Sequence, residues 1–488
     1  MFEGIRAAYR AFMGHRQTVD LRAKWDAART TGNNKNLWSG ADALSAAAAG
    51  DPLVRATLRQ RSRYECQESN SYGKGFVLSL ADFTIGRGPS IRVDLGNEQI
   101  DRLVQNEFNG WFRSIGGPEK ARTAKMSKTV DGEVFFLEVT NRQNPSPVKL
   151  DFKLFEAEQC SSPEGDYVND ENRHIDGIWY DNVGNPTRYD ILLDHPGGLG
   201  TSLDATAFPA NRVIHLFRVD RPGQKRGIPE TAPALPLFPI LRQYTMATLE
   251  AATSAAYWQA VIHSRMPSDQ SPAQIDGGAF QPFDLERNAV MNLPDGWDIS
   301  QLKPEHPTTT YAEFKREVLN EIARCLNVPF NVAAGNSSEY NFASGRLDWQ
   351  IFFRMIEVER NYFERAMLDR MFFAWLSEAR LIPDYLPVLP DTIPHRWLWD
   401  GQPIIDPVKE ANATVALFNA GLLDEDKYWA NSGEDTQEVY RRMSENLNQR
   451  EELGLPLPAS GETNAETESE EEIEEEETSE PSGRSGAE

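Results

Sequence analysis

The segment from Tyr311 to Glu378 constrains the fold most, because it reads as a helix, a short polar break and a long helix. Before the break, Tyr311, Phe314, Val318, Ile322 and Cys325 recur at three- and four-residue spacing, so they form the packed side of one amphipathic helix. Glu313, Arg316, Glu317, Asn320 and Arg324 cover its other side. After the break, Leu347, Ile351, Met355, Tyr362, Ala366 and Trp375 mark a second helical stripe, in a segment apolar enough to be largely buried. The break, Asn327 to Asn341, contains Pro329 and Gly335, which rule out one continuous helix. A polar loop held between two packed helices is an ordered projection, presented towards something.

The rest of the chain reads as α+β. Residues 1 to 40 read as helix and loop, Ala43 to Ala49 is alanine-rich, and Asp51-Pro52 starts a helix that runs through Arg61. Strand-like alternation begins near Phe76 and continues to Val93. Further strands are predicted at Val134–Val139, Lys149–Ala157, Ile178–Tyr180, Thr187–Leu193 and Val213–Phe217, so residues from about 120 to 220 form a mainly antiparallel sheet domain. Pro239 to His263 is helical, with Ile240, Leu241, Tyr244, Leu249 and Ala252 as one stripe. Residues 266 to 309, rich in Pro and with Gly277-Gly278 and Asp295-Gly296 turns, read as a compact insert with short strands such as Ala289 to Leu293. Beyond Pro387 come Pro/Trp-rich connections. Helices follow at Pro407–Ala420, with Gly421 as its C-cap, Asp424–Asn431 and Thr436–Leu453.

Composition narrows the class. A chain of 488 residues accommodates about three domains and a sizeable core. No apolar run approaches the roughly 18 residues that span a bilayer, and Met1 to Arg16 lacks the continuous apolar stretch of a signal peptide. Cys66, Cys160 and Cys325 are too widely separated for a disulfide framework or a zinc cluster, which points to a reducing compartment. The net charge of −24 divides unevenly. Residues 461 to 488 hold twelve Glu and one Arg, a net of −11, which leaves −13 for the remainder. The end of the chain, from Pro458 on, is too charged and too poor in apolar residues to fold. An acidic body argues against a protein that grips nucleic acid, since that affinity comes mainly from Lys and Arg on phosphates.

Motifs for catalysis are lacking. There is no phosphate-binding loop of the NTPase kind, hence no motor, and no Gly-x-Ser-x-Gly elbow. Gly197-Gly198-Leu199-Gly200-Thr201-Ser202 has no lysine and lies between strands, which marks a loop. Gly86-Arg87-Gly88 lacks the third glycine of a dinucleotide fingerprint. His195, His215 and His263 have no partners at metal-ligand spacing and read as structural. Arg221, Lys225 and Arg226, around Gly223 and Gly227, form either a phosphate contact or a plain surface turn. No catalytic residue, metal ligand or cofactor is assigned.

Four stretches, in this order and spacing between about residues 50 and 455, resemble the lambda-type portal family of tailed phages. They are Val213-Ile214-His215-Leu216-Phe217 with Arg221 to Pro229; Ile322 to Pro329; Tyr340 to Arg346, with Phe342 and Gly345 where the family has small or helix-favouring residues; and Ile405 to Glu410 running on to Ala420–Leu423 and Gly433-Glu434-Asp435. The resemblance implies a multi-domain, ring-forming α+β fold. Its parts are a wing at 1–229, a first stem helix at 230–265, a clip at 266–309, a second stem helix at 310–326 and a tunnel loop at 327–342. A long helix and wing return at 343–400, a helical crown at 401–457 and a disordered acidic tail at 458–488 complete it.

The resemblance also implies about twelve copies closed head to tail around a channel at one capsid vertex. Double-stranded DNA would pass through, the large terminase would dock on the clip, and a head-completion or connector protein would follow. Major capsid protein and scaffold would be neighbours, with assembly in the host cytoplasm and no membrane. An acidic wall would suit sliding DNA, although acidity also serves solubility alone. Asn331, Asn336, Ser337, Ser338 and Glu339 are the candidate loop contacts with the duplex, and Glu313, Glu317, Asn320 and Arg324 the channel-facing stem residues. Two other classes stay open. An acidic scaffold that binds basic partners would explain the tail but not the order of elements, and a metal-dependent nucleic-acid enzyme would need converging carboxylates.

Overall fold

The structure is a computed structural model that describes residues 36–46, 50–161, 174–199, 204–256, 260–264, 297–301, 310–338, 341–402 and 407–456. The elements begin with α1 (Pro52–Arg63, continued as a wider π turn over Tyr64–Ser69), α2 (Ser71–Ile85), β1 (Ser90–Val93), α3 (Glu98–Ser114) and α4 (Gly117–Asp131). Eight-residue β2 (Glu133–Thr140) then leads to β3 (Leu150–Phe155), β4 (His174–Ile175), β5 (Ile178–Tyr180), β6 (Pro186–Leu192), β7 (Ala205–Pro209) and β8 (Val213–Phe217). The next stretch holds α5 (Leu237–Ala256), β9 (Ala260–Ser264), β10 (Trp297–Gln301), α6 (Thr310–Cys325), α7 (Phe330–Ala334), α8 (Phe342–Phe363) and, after another π turn, α9 (Asp369–Ala379). Last come β11 (His395–Leu398), α10 (Pro407–Asn419), α11 (Glu425–Asn431) and α12 (Thr436–Glu452).

Two compact units result: residues up to Thr84 with Arg113–Pro383, and Ile85–Phe112 with the segment from Asp384 onward. The second unit is discontinuous because β1 finds its antiparallel partner in β11, with Ser90 opposite Leu398 and Val93 opposite His395. Its aromatic core centres on Phe108, which meets Trp397 at 5.7 Å between ring centroids. Asp424 and Asp435 cap α11 and α12 by accepting backbone N–H groups, and Gly421, at φ +67°, ends α10 in the left-handed conformation.

In the first unit, β2 is the centre of a three-stranded antiparallel sheet in the order β3-β2-β8, and β4 to β7 form a second sheet. The helices α2, α5, α6 and α8 share one apolar core around Phe76, Leu80, Phe238, Ile322, Phe352 and Ile356. Burying each such side chain is worth about 1.5–3 kcal/mol, which fixes the helix axes against each other. The hairpin β9–β10 pairs Ser264 with Trp297, so the chain leaves α5 and returns towards α6 side by side.

Charge also holds this unit together. Helix α1 carries Arg55, Arg59 and Arg63 at successive i, i+4 positions, and that face is turned inwards while Leu53 is 73 % exposed. Arg55 pairs with Asp176, Arg59 with Glu133, and Arg63 with Asp131 at 2.6 Å. Glu133, fully buried at the start of β2, also takes two N–H groups of Arg226 at 3.0 and 2.8 Å and the Gly227 N–H at 2.8 Å. Burial alone would raise its carboxyl, but Arg226 and Arg59 hold it well below the usual carboxylate range. Neither sequence reading of the Arg221–Pro229 cluster describes Arg226, which is buried. Lys225 packs on the Tyr180 ring and donates to the Gly184 carbonyl, while Arg221, exposed, donates to the Leu44 carbonyl.

A second buried set ties α4 to α8. Lys128 lies 2.6 Å from Glu230 and 3.0 Å from Glu359, and Lys125 lies 2.9 Å from Glu359. Desolvation opposes ionisation of Glu230, but Lys125 and Lys128 outweigh it and lower its pKa to about 2.

Several sequence expectations are corrected. Most of Phe76–Val93 is not strand: it lies in α2, where Phe76/Leu80/Thr84 and Val77/Ala81/Ile85 are buried at helical i, i+4 spacing. The helix expected to reach His263 stops at Ala256, and Ala260–Ser264, with β-branched Val261 and Ile262, is strand. On α8 the buried face is Phe352, Phe353, Ile356 and Phe363, whereas Leu347 and Ile351 are about 60 % exposed. Phe314, Ile240 and Leu249 are exposed as well, so three predicted stripes each mix a core face with an uncovered one. Helices α3 and α4 were not anticipated. Most of 1–40, the strand at Ala289–Leu293, Glu339 and the tail from 457 lie outside the described residues.

Candidate functional site: the capped turn between two packed helices

Three residues with strong local preferences build the turn. Helix α6 stops because Asn327 takes φ +53°, a left-handed conformation that Asn tolerates better than most residues. Its N–H bonds back to the Arg324 carbonyl at 3.2 Å and that of Val328 to Ala323 at 3.0 Å, a Schellman arrangement whose apolar residue, Val328, is buried. Pro329 then prevents resumption, and α7 makes one short turn before Gly335, at φ +62°, ends it. Asn341 starts α8, its side-chain oxygen accepting the Ser344 N–H at 2.8 Å.

These stops divide the break into a packed part and a projecting part. Val328 and Ala333 belong to the helical core, and Asn331 is only 7 % exposed, its side-chain oxygen accepting the Val332 N–H at 2.9 Å. The candidate Asn331 therefore faces protein and not solvent, because α7 folds back onto the core. Asn336, Ser337 and Ser338 are exposed. The Asn336 side-chain oxygen accepts the Ser338 N–H at 2.9 Å and its hydroxyl at 2.6 Å, which gives the tip a defined shape. Glu339 lies outside the described residues.

The four stem candidates are all exposed on one side of α6. Glu317, Asn320 and Arg324 line a cleft of about 380 Å³ together with Arg316, Asn327, Phe330 and Asp348; Glu313 is not part of its lining. On the other side of the Arg316–Phe330 pair, whose guanidinium sits 5.3 Å from the ring centroid, lies a second cleft of about 320 Å³. Tyr72, Tyr311, Lys315, Arg316, Asn336 and Ser338 are among its walls. Sequence reasoning stopped at the mixed-charge side of α6 and missed Lys315. The available signal was Lys315 itself, four residues from both Tyr311 and Leu319 and so on their face of the helix.

Among the described residues, one group resembles a metal-ligand set: Glu156, Glu158 and His195, whose ligand atoms lie within 4.8 Å of one another. Its chemistry does not fit a cation. Arg63 already sits 3.2 Å from Glu156 and 2.8 Å from Glu158, placing a fixed positive charge there. His195 accepts the Gly197 N–H on Nδ1 at 3.0 Å, so the neutral ring carries its proton on Nε2, which faces Glu156 at 3.3 Å. Binding through Nε2 would sacrifice the Gly197 contact. His215 is likewise structural: Nε2 lies 2.9 Å from Glu133, the ring stacks on Phe135 and Phe217, and burial lowers its pKa. His263 has no described side chain.

A family model described as phage portal protein, lambda family, matches residues 33–360. The chain belongs to that family. It is 24 % identical to the "Probable portal protein" of Halomonas phage phiHAP-1, over 91 % of this chain and 90 % of that protein. It is 21 % identical to "Portal protein B" of Escherichia phage lambda, over 84 % of this chain and 85 % of that one. Among solved structures, a chain from the neck of an empty gene transfer agent particle matches with a TM-score of 0.44 and 16 % identity, covering 84 % of this chain and 95 % of that one.

Proposed function

We propose that this protein is the portal of a tailed-phage or prophage head, a closed ring of identical copies at one capsid vertex through which double-stranded DNA enters and leaves. The observation that carries the reading is a rigidly capped polar projection, Asn336–Ser338, between two core-packed helices of a chain that belongs to the portal family. In this reading α5 and α6 are the stem, the segment around β9 and β10 is the clip, and the capped turn is the tunnel loop. In this reading the wing is 1–229, the crown 401–457 and the acidic tail 458–488. Two different uncovered apolar patches support head-to-tail closure, which needs non-equivalent surfaces on each copy. One is Met246 and Leu249 on α5; the other is Leu347, Ile351 and Val358 on α8.

Within the ring, the Glu313, Glu317, Asn320 and Arg324 side of α6 faces the channel, each residue repeated once per copy. Asn336, Ser337, Ser338 and Glu339 meet the moving duplex with short polar groups that contact the backbone transiently. The large terminase docks on the clip during packaging, and a connector replaces it. The chain itself performs no catalysis. The test is a packaging assay with heads carrying a portal that lacks Asn336–Glu339. Heads that assemble but fail to package or retain DNA support the reading; packaging and retention at the wild-type level would remove the loop from translocation.

A further inference from the structure

Helix α8 leaves one face uncovered, and its two halves differ. Leu347 and Ile351 make the first half apolar. Arg354, Val358 and Asn361 follow at four- and three-residue spacing, and Arg365 stands four residues further on, in the π turn. This second half lines a cleft of about 710 Å³ together with Arg218 and Val219, which follow β8. Arg354, Arg365, Val219 and Val358 are all exposed. The charges of the cleft do not balance. Lys128 and Glu359 answer each other at 3.0 Å, and Arg218 is held by Asp220 at 2.7 Å. That leaves Arg354 and Arg365 against one lining carboxylate, Glu357. Among the described residues no ion pair holds either arginine; Arg365 donates to the Asn361 backbone carbonyl at 3.4 Å.

We propose that this cleft is the docking site of the acidic terminal segment of a copy of this chain, with Glu471 and Glu475 on Arg354 and Arg365 and Ile473 against Val358. The two arginines are eleven residues apart, about 16 Å along a helix. In an extended chain alternate side chains share a side, so Glu471, Ile473 and Glu475 point one way over about 14 Å, and the long Arg and Glu side chains cover the difference. Ile473 is the one large aliphatic side chain after Pro458, and it stands among carboxylates as Val358 stands between arginines. Seventeen residues separate Pro456, where the described chain ends, from Ile473, a reach of up to about 55 Å. A single aliphatic side chain makes no packed interface; the arginines do the holding. Such pairs are exposed and screened by salt, so the hold is weak and assembly does not depend on it. While docked, the segment keeps other polyanions off the two arginines. The inference goes beyond the portal reading and needs no ring.

The test uses the full-length protein at low salt and follows cleavage beside Ile473 by a Glu-specific endoproteinase, read by mass spectrometry. Wild type is expected to be cut there about three- to tenfold more slowly than Arg354→Gln/Arg365→Gln, and the difference is expected to vanish at about 0.5 M salt. Arg354→Lys/Arg365→Lys is expected to keep most of the protection. A second variant acts from the other side of the contact: Glu471→Gln/Glu475→Gln should speed cleavage at Glu472 and Glu474 to the rate seen in the arginine variant. Both arginines are exposed, so equal melting temperatures are expected and exclude misfolding as the cause. Equal cleavage rates in wild type and in both glutamine variants would overturn the proposal. So would an arginine variant of lower assembly mass and unchanged cleavage, which would give this face to the folded body of a neighbouring copy.

Discussion

Gly227 and Gly132 approach each other so closely that neither position has room for a side chain. A Cβ on Gly227 would meet the Gly132 carbonyl oxygen at 2.2 Å, and one on Gly132 would meet the Ile228 backbone at 2.3 Å. This contact lets the Gly227 N–H and the Arg226 guanidinium reach the buried Glu133 carboxylate. Gly227→Ala is therefore expected to destabilise by about 3 kcal/mol, since backbone must move. Gly421→Ala meets nothing within 4 Å and incurs only left-handed strain, about 1 kcal/mol. Urea midpoints of the two variants check the contrast. Glu230 supplies a pH test. Its folded pKa is depressed, so the stability it contributes is complete above the unfolded carboxylate value and is lost as pH falls from about 4.5 towards about 2. Glu230→Gln leaves Lys128 and Lys125 with one carboxylate fewer. It should cost about 3 kcal/mol at neutral pH and flatten the acid limb of a stability–pH profile; an unchanged limb would show that the pair is not coupled to folding.

At the scale of elements, the turn between α6 and α8 was legible because its stops are written as Asn327, Pro329, Gly335 and Asn341, each acting on its own backbone. What escaped was direction. Periodicity shows that a helix has an apolar stripe but not which of two stripes faces the core, and α8 carries both Phe352/Ile356 inside and Leu347/Ile351 outside. The α1 arginines escaped for a related reason, since a charged face ordinarily points to water and only the acidic partners on β2 and beyond turn it inwards. Strand β1 was placed too broadly because its partner β11 lies some three hundred residues away in sequence. The structure orders the mutational costs accordingly. Ile322→Ala, fully buried, should destabilise by about 2–5 kcal/mol and lower soluble yield. Phe314→Ala, at a site 42 % exposed, should cost clearly less in the same unfolding experiment.

At the scale of the whole molecule, the charge divides between a body and a terminal segment in which eleven of the nineteen residues from Glu462 to Glu480 are Glu. So few apolar side chains cannot build a packed contact, so removing everything after Pro458 should leave assembly intact; a truncated chain that stays monomeric would show that the segment is structural. The central claim is that identical copies close into a ring, and the mass of the purified full-length protein in solution tests it most directly. The account predicts one dominant species many times the 55.0 kDa of the chain, with a central hole in negative-stain images. A stable monomer or dimer at micromolar concentration, in low and high salt alike, would contradict it.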